Sequence, residues 1–249
     1  MAGQSQADSS GTEGPKDSLS YVSEARRIGI STVLILPLVA VYQIGIVQAG
    51  STTRNIAEVW MTGPLAILGV PATTTVNVLA LSALLYGLWE SQQRGSLSLT
   101  LLAVMLLESA LYAVLIYAGV SWAAVFLQDV TASYLGIGVV FSHQFMLSIG
   151  AAVYEELLFR LLLIGGGVLL MRRVFLWNPL ACGIFLLVVS SLLFSAAHHV
   201  GNRAQPFTPF LFIFRTLCGA ALGGIYLGRG IGIAVWTHAL YNLLVLTQT

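Results

Sequence analysis

The sequence predicts an all-α fold: a polytopic bundle of about seven transmembrane helices. Three observations lead there. Hydrophobic residues make up 57% of the 249 positions and charged residues only 8%, whereas a soluble domain carries about 25% charged residues. The apolar residues fall in successive runs of about 20, the length that crosses a bilayer as a helix, and not in the short alternating segments of a barrel. Arginines collect between alternate runs, as they do on the cytoplasmic side of multi-pass proteins. The formal net charge is +1, so charge points to no nucleic-acid partner.

Taken in order, residues 1–20 are rich in Ser, Gly, Gln and Asp and read as a disordered tail. Arg26 and Arg27 precede an apolar run from Ile28 to Val47. That run is long for a signal-peptide core, and Val47-Gln48-Ala49 is a poor cleavage site, so it reads as a retained first span. Residues 50–63, with Arg54 and Glu58, read as a loop. Pro64, Gly69 and Pro71 then break any helix, which leaves a short interfacial piece over Leu65–Val70. The second span is Thr74–Trp89, followed by a loop from Glu90 to Ser96. The third, Leu97–Gly119, holds Glu108, read as a protonated or hydrogen-bonded contact between helices. In the connection 120–140, which contains Asp129, Trp122, Phe126 and Tyr134 are expected interfacial anchors.

The fourth span, Phe141–Leu170, ends at Arg172-Arg173. The fifth is Pro179–His199, followed by a polar turn over Gly201–Pro209. The sixth, Phe210–Leu227, has Arg215 in its first turns, and Gly228-Arg229-Gly230 separates it from the seventh, Ile231–Leu246. The organisation is thus a tail (1–20), N-terminal membrane helices (21–140) and a second half (141–247) that carries the chemistry. Cys182 and Cys218 lie in apolar runs without metal-type spacing and read as small packing residues. With the N-terminus cytoplasmic, the inner segments hold Lys16, Arg26, Arg27, Arg94, Arg172, Arg173 and Arg229, against Arg54 and Arg203 outside. That asymmetry places the C-terminus on the outer side.

The fourth span contains Val153-Tyr154-Glu155-Glu156-Leu157-Leu158-Phe159-Arg160. An ionisable group at membrane depth costs at least ~2.5–3.5 kcal/mol on an insertion scale. Three in six residues must therefore be paired, or used, or both. Glu156 and Arg160 are four apart and share a helix face. Glu155 is rotated by about 100° from Glu156 and is left to face something else. Two further spans supply candidates. Phe194-Ser195-Ala196-Ala197-His198-His199 closes the fifth, and the seventh holds His238 and Asn242, again four apart. A carboxylate to activate water, an imidazole to assist and neutral donors for an oxyanion make an inventory for hydrolysis. The same residues also suit zinc, with Glu155, His198 and His238 as ligands and water as the fourth. Against zinc, few nearby side chains other than Asn242 and Ser195 could orient the two imidazoles.

Glu155-Glu156-x-x-x-Arg160, Phe194-x-x-x-His198 and His238-x-x-x-Asn242 resemble the three motifs of the CAAX-protease and bacteriocin-processing (Abi) family. That family of membrane-embedded peptidases includes the type II CAAX prenyl endopeptidases. The resemblance covers about residues 141–247. It implies a helical intramembrane endopeptidase with a polar cavity open to the membrane and a membrane-anchored protein or peptide as substrate. By the same resemblance Glu155 and His198 would activate the attacking water, Glu156 and Arg160 would support the site, and His238 and Asn242 would form an oxyanion hole. No cofactor is then expected, with zinc as the alternative. The extra His199 departs from the motif and reads as a neighbour at the loop edge. The short tail and compact chain suggest a bacterial inner membrane. Competing readings are a non-catalytic immunity or scaffold protein that keeps the polar core for folding, and a proton-relay transporter. The absence of inverted repeats and broken midplane helices speaks against the transporter.

Overall fold

The computed structural model describes residues 16–49, 54–94, 97–126, 141–201 and 204–247, all of whose regular elements are helical. In chain order these are α1 (Lys16–Ala25), α2 (Ile28–Ala49), α3 (Ile56–Ile67), α4 (Ala72–Arg94), α5 (Leu99–Phe126) and α6 (Phe141–Glu156). A π-helical segment (Leu157–Gly166) continues α6 without interruption into α7 (Gly167–Val174). Then follow α8 (Pro179–Ala197), α9 (Pro209–Arg229) and α10 (Ile231–Leu246). Seven rods match the seven expected spans: α2, α4, α5, the joined α6–π–α7, α8, α9 and α10.

Four of them, within Ile28–Gln48, Leu99–Val120, Pro179–Ala197 and Pro209–Arg229, are long and apolar enough to cross a bilayer on composition alone. The joined rod carries Glu155, Glu156 and Arg160, which the fold buries, and Arg172 and Arg173, which are exposed near its end. The chain is an integral membrane protein.

Several boundaries differ from expectation. Helix α1 starts at Lys16, so the helical chain reaches into the expected tail; residues 1–15 lie outside the described residues. Residues 56–67 are a helix and not a loop, with Pro64 inside it. Asn55 caps that helix: its side-chain oxygen accepts from the Ala57 amide and so gives an acceptor to a first-turn N–H that has none within the helix. Helix α4 runs through Glu90 to Arg94, and α5 runs on to Phe126, leaving Trp122 exposed as an interfacial anchor would be. The connection with Asp129 and Tyr134, and Asn202-Arg203 in the polar turn, lie outside the described residues.

Helix α10 forms the axis. It packs against α2, α5, α6 and α9, and Ile231–Val235, Thr237, His238 and Ala239 are buried. At 16 residues, or about 24 Å, it is short for a span, but protein surrounds it. Its polar side chains are bonded outward on three sides. Trp236 Nε1 donates to Leu34 O of α2 at 2.7 Å, Thr237 Oγ1 donates to Ser109 O of α5 at 3.4 Å, and Asn242 Nδ2 donates to Ser148 O of α6 at 3.1 Å. Small residues let the rods approach, as membrane packing requires. A Cβ on Gly150 of α6 would stand 2.2 Å from the Tyr42 ring of α2, and one on Gly232 would stand 3.0 Å from Ser31 Cα.

At one end of the bundle Glu108 is a hydrogen-bonded contact between helices, and it is ion-paired as well. Arg229 Nε donates to it at 2.5 Å, Arg229 Nη2 at 2.7 Å and Tyr21 Oη at 2.6 Å. Cys182 and Cys218 are both free, Cys182 fully buried.

Candidate active site

The acidic pair divides as helix geometry suggests, although the turn that follows is π and not α. Arg160 Nη1 lies 3.0 Å from Glu156 Oε1, both groups completely buried. Arg160 Nη2 donates to Gly219 O of α9 at 3.0 Å, and its guanidinium carbon sits 4.5 Å from the centre of the Phe194 ring. The π segment begins at Leu157, directly after the two glutamates. Such i→i+5 turns recur at functional sites. Three consecutive glycines, Gly165 to Gly167, end it and are weak helix formers.

Helix α10 brings His238 against this pair. Its Nδ1 lies 2.8 Å from Glu156 Oε1, and its Nε2 lies 4.0 Å from Glu155 Oε2. Glu156 is thus shared between Arg160 and His238. Glu155 takes part in neither contact; its other oxygen, Oε1, accepts from Asn55 Nδ2 at 3.4 Å.

His198 follows the last residue of α8, with Nδ1 2.9 Å from Phe194 O. A carbonyl oxygen only accepts, so Nδ1 carries the hydrogen and Nε2 of the neutral ring is bare. Phe194 ties the cluster together, its ring centre lying 5.0 Å from that of His198, 6.0 Å from that of His238 and 5.6 Å from that of Phe159. Arg160, His198 and Arg215 all feel the field of the Glu155 carboxylate. Arg215, whose place in the first turns of a span gave no hint of this, bonds to Gln205 and leaves Nη1 without a hydrogen-bond partner among the described residues. His199 turns away, with Nδ1 2.9 Å from Gln205 O and its ring against Phe207.

An apolar cavity of about 390 Å³ lies beside the cluster; Trp60 of α3, Leu158, Phe159 and Leu163 of the π segment, Ala197 at the end of α8 and Val200 beyond it are among its walls. One expectation needs correcting: the imidazoles do not lack acceptors, since Glu156 serves His238 and Phe194 O serves His198. Among the described residues no three His, Cys, Asp or Glu side chains come together as a metal site.

Sequence reasoning missed a third buried acid. Glu58 of α3 is completely buried; it accepts from Tyr42 Oη at 2.6 Å and is ion-paired with Arg54. Its only sequence signal was the Arg54–Glu58 spacing of four, taken there for an exposed loop.

Fold and cluster together define a helical integral membrane protein whose buried polar core gathers carboxylates, a guanidinium and imidazoles from separate helices. Residues 136–244 match the model of the family described as type II CAAX prenyl endopeptidase Rce1-like, the same class of protease that the three motifs resemble. This stretch, somewhat less than half of the chain, is thus similar to an Rce1-like, CAAX-type intramembrane endopeptidase domain. No curated protein and no solved structure matches the chain.

Proposed function

We propose that the protein hydrolyses a peptide bond near the C-terminus of a membrane-associated protein or peptide, using a water activated by Glu155 and His198. The observation that carries this reading is the unequal use of two adjacent acids. Glu156 is spent on Arg160 and His238, while Glu155 is left with one long amide contact and an imidazole nitrogen at 4.0 Å. A positioned carboxylate with free lone pairs is what a general base requires.

In this mechanism Glu155 takes a proton from water as the oxygen adds to the scissile carbonyl. The bare Nε2 of His198 accepts the second hydrogen bond of that water. The oxyanion meets Asn242, which has a second amide hydrogen besides the one given to Ser148 O. His238 gives its Nδ1 hydrogen to Glu156, so it offers an Nε2–H to the oxyanion only as the imidazolium. The Glu156–Arg160 pair holds it in that orientation. Collapse expels the amine, which takes the proton from Glu155, so one water is consumed per bond cut.

The enzyme works without metal in this reading and resides in a bacterial inner membrane. The test uses the full chain in lipid nanodiscs with quenched fluorescent peptides that end in a free carboxylate, farnesylated and plain. Cleavage should persist in a strong chelator and fall by about 10²–10⁴ in Glu155→Gln. One zinc per chain, with activity lost on chelation and restored by zinc, would overturn the metal-free mechanism. Unchanged cleavage by Glu155→Gln would remove Glu155 as the base. Comparing the C-termini of membrane proteins in cells carrying wild type or Glu155→Ala would name the substrate.

A further inference from the structure

Asn55 lies 100 positions before Glu155 and outside the stretch that matches the peptidase family. The amide is fixed at both ends. Its Oδ1 accepts from the Ala57 amide at 2.8 Å as the cap of α3, so its Nδ2 is the atom turned to Glu155 Oε1, at 3.4 Å. The backbone around it is fixed too. The Asn55 amide donates to Tyr42 Oη at 3.1 Å, and that hydroxyl donates to the buried Glu58 at 2.6 Å. Glu58 in turn is paired with Arg54, the residue before Asn55. The Tyr42 ring packs edge-on to Tyr154, the neighbour of Glu155, with centres 5.4 Å apart, and it occupies the space over Gly150 one turn earlier. Gln43 donates to Tyr154 Oη at 3.1 Å and closes the network.

We propose that Asn55 is the positioning residue for Glu155. It holds one carboxylate oxygen from the α3 side so that the other faces His238 and the reacting water. Arg54, Glu58 and Tyr42 form the clamp that keeps α3 and its cap at that distance. The inference rests on Glu155 being the base. It explains why a short helix, with a charged pair at its start and a proline near its end, is fastened by buried polar contacts to the rod that carries the acids. Asn55 acts through Glu155 and does not touch the substrate in this scheme.

Two substitutions keep the cap and remove the donor, since Ser and Asp cap helices about as well as Asn. Asn55→Ser should lower kcat for the farnesylated peptide by roughly 10- to 100-fold, the cost of a misplaced catalytic group, with KM unchanged and the thermal midpoint lowered only by the loss of one hydrogen bond. Asn55→Asp sets a second acid against Glu155 and should lose more. Asn55→Gln keeps an amide and should recover part of the rate. A double-mutant cycle of Asn55→Ser with Glu155→Gln, read as thermal midpoint, should show coupling between the two sites.

If Glu155→Gln is inactive while Asn55→Ser and Asn55→Asp keep the wild-type kcat, the inference fails and the reading of the site stands. If losses at Asn55 follow the thermal midpoint, the role is structural only and the inference also fails. If wild type leaves the peptide uncut, or Glu155→Gln still cuts it, the reading of the site is what fails; the cycle then decides the contact, and no coupling overturns it.

Discussion

Arg160 is 0% exposed in a segment surrounded by lipid and protein. Its charge is answered by Glu156, by Gly219 O and by the face of Phe194. Removing one member of a buried pair is costly because the other is left uncompensated. Arg160→Met should therefore destabilise the protein by about 3–5 kcal/mol, measured as loss of the folded fraction on heating in detergent. The Glu156→Gln/Arg160→Met double variant should lose less than the sum of the two single ones. Asn242→Ala should behave differently. It removes a neutral donor from the partly buried end of α10, so kcat should fall roughly 10²–10³-fold while KM and the melting midpoint hold. A KM increase with kcat intact would assign Asn242 to substrate binding instead.

Among the elements, the close crossing of α2 and α6 makes a sharp demand. Gly150→Ala would put a methyl 2.2 Å from Tyr42, so the ring must move, and with it the contacts to Glu58 and Asn55. Overpacking of this kind costs about 1–3 kcal/mol. Gly63 in α3 is the control. Nothing lies within 4 Å of an added Cβ there, so Gly63→Ala should stabilise by about 0.5–1 kcal/mol. Thermal midpoints that shift alike for the two variants would contradict this packing.

The same elements show what could be read from the sequence. The seven rods were legible because runs of that length and apolarity have few other uses, and Glu156–Arg160 was legible because their contact is local. Helix α3 was not, because its first turn is charged and its last contains Pro64; only Tyr42, Asn55 and Arg54, brought together by folding, give Glu58 a place inside. The contact of His238 with Glu156 spans 82 positions, and no spacing rule foretells it. The π turn was hidden as well, since the residues of Leu157–Gly166 would serve an α-helix as readily.

For the molecule as a whole, charge distribution predicts a cytoplasmic N-terminus and an outer C-terminus. The pairing agrees with strict alternation of the spans. Arg27 and Arg229, both assigned to the inner side, are ion-paired with acids of neighbouring helices: Arg27 reaches Glu90 at 3.3 Å, and Arg229 shares Glu108 with Tyr21. A reporter active only outside the cytoplasm, fused at Thr249, should be active. A silent fusion, with a cytoplasmic reporter active at the same point, would mean the span count is off by one.

Helix α10, which holds His238 and Asn242, is made by the ribosome after every helix it packs against. Until it enters, Glu156 and Arg160 have each other but no imidazole, and any oxyanion has no amide. A nascent chain stopped at Gly228 should therefore insert its earlier helices yet cleave nothing, which a translation-arrest assay on membranes would show. On the proposed reading, the site is completed only when the axis of the bundle slides into place, at the very end of synthesis.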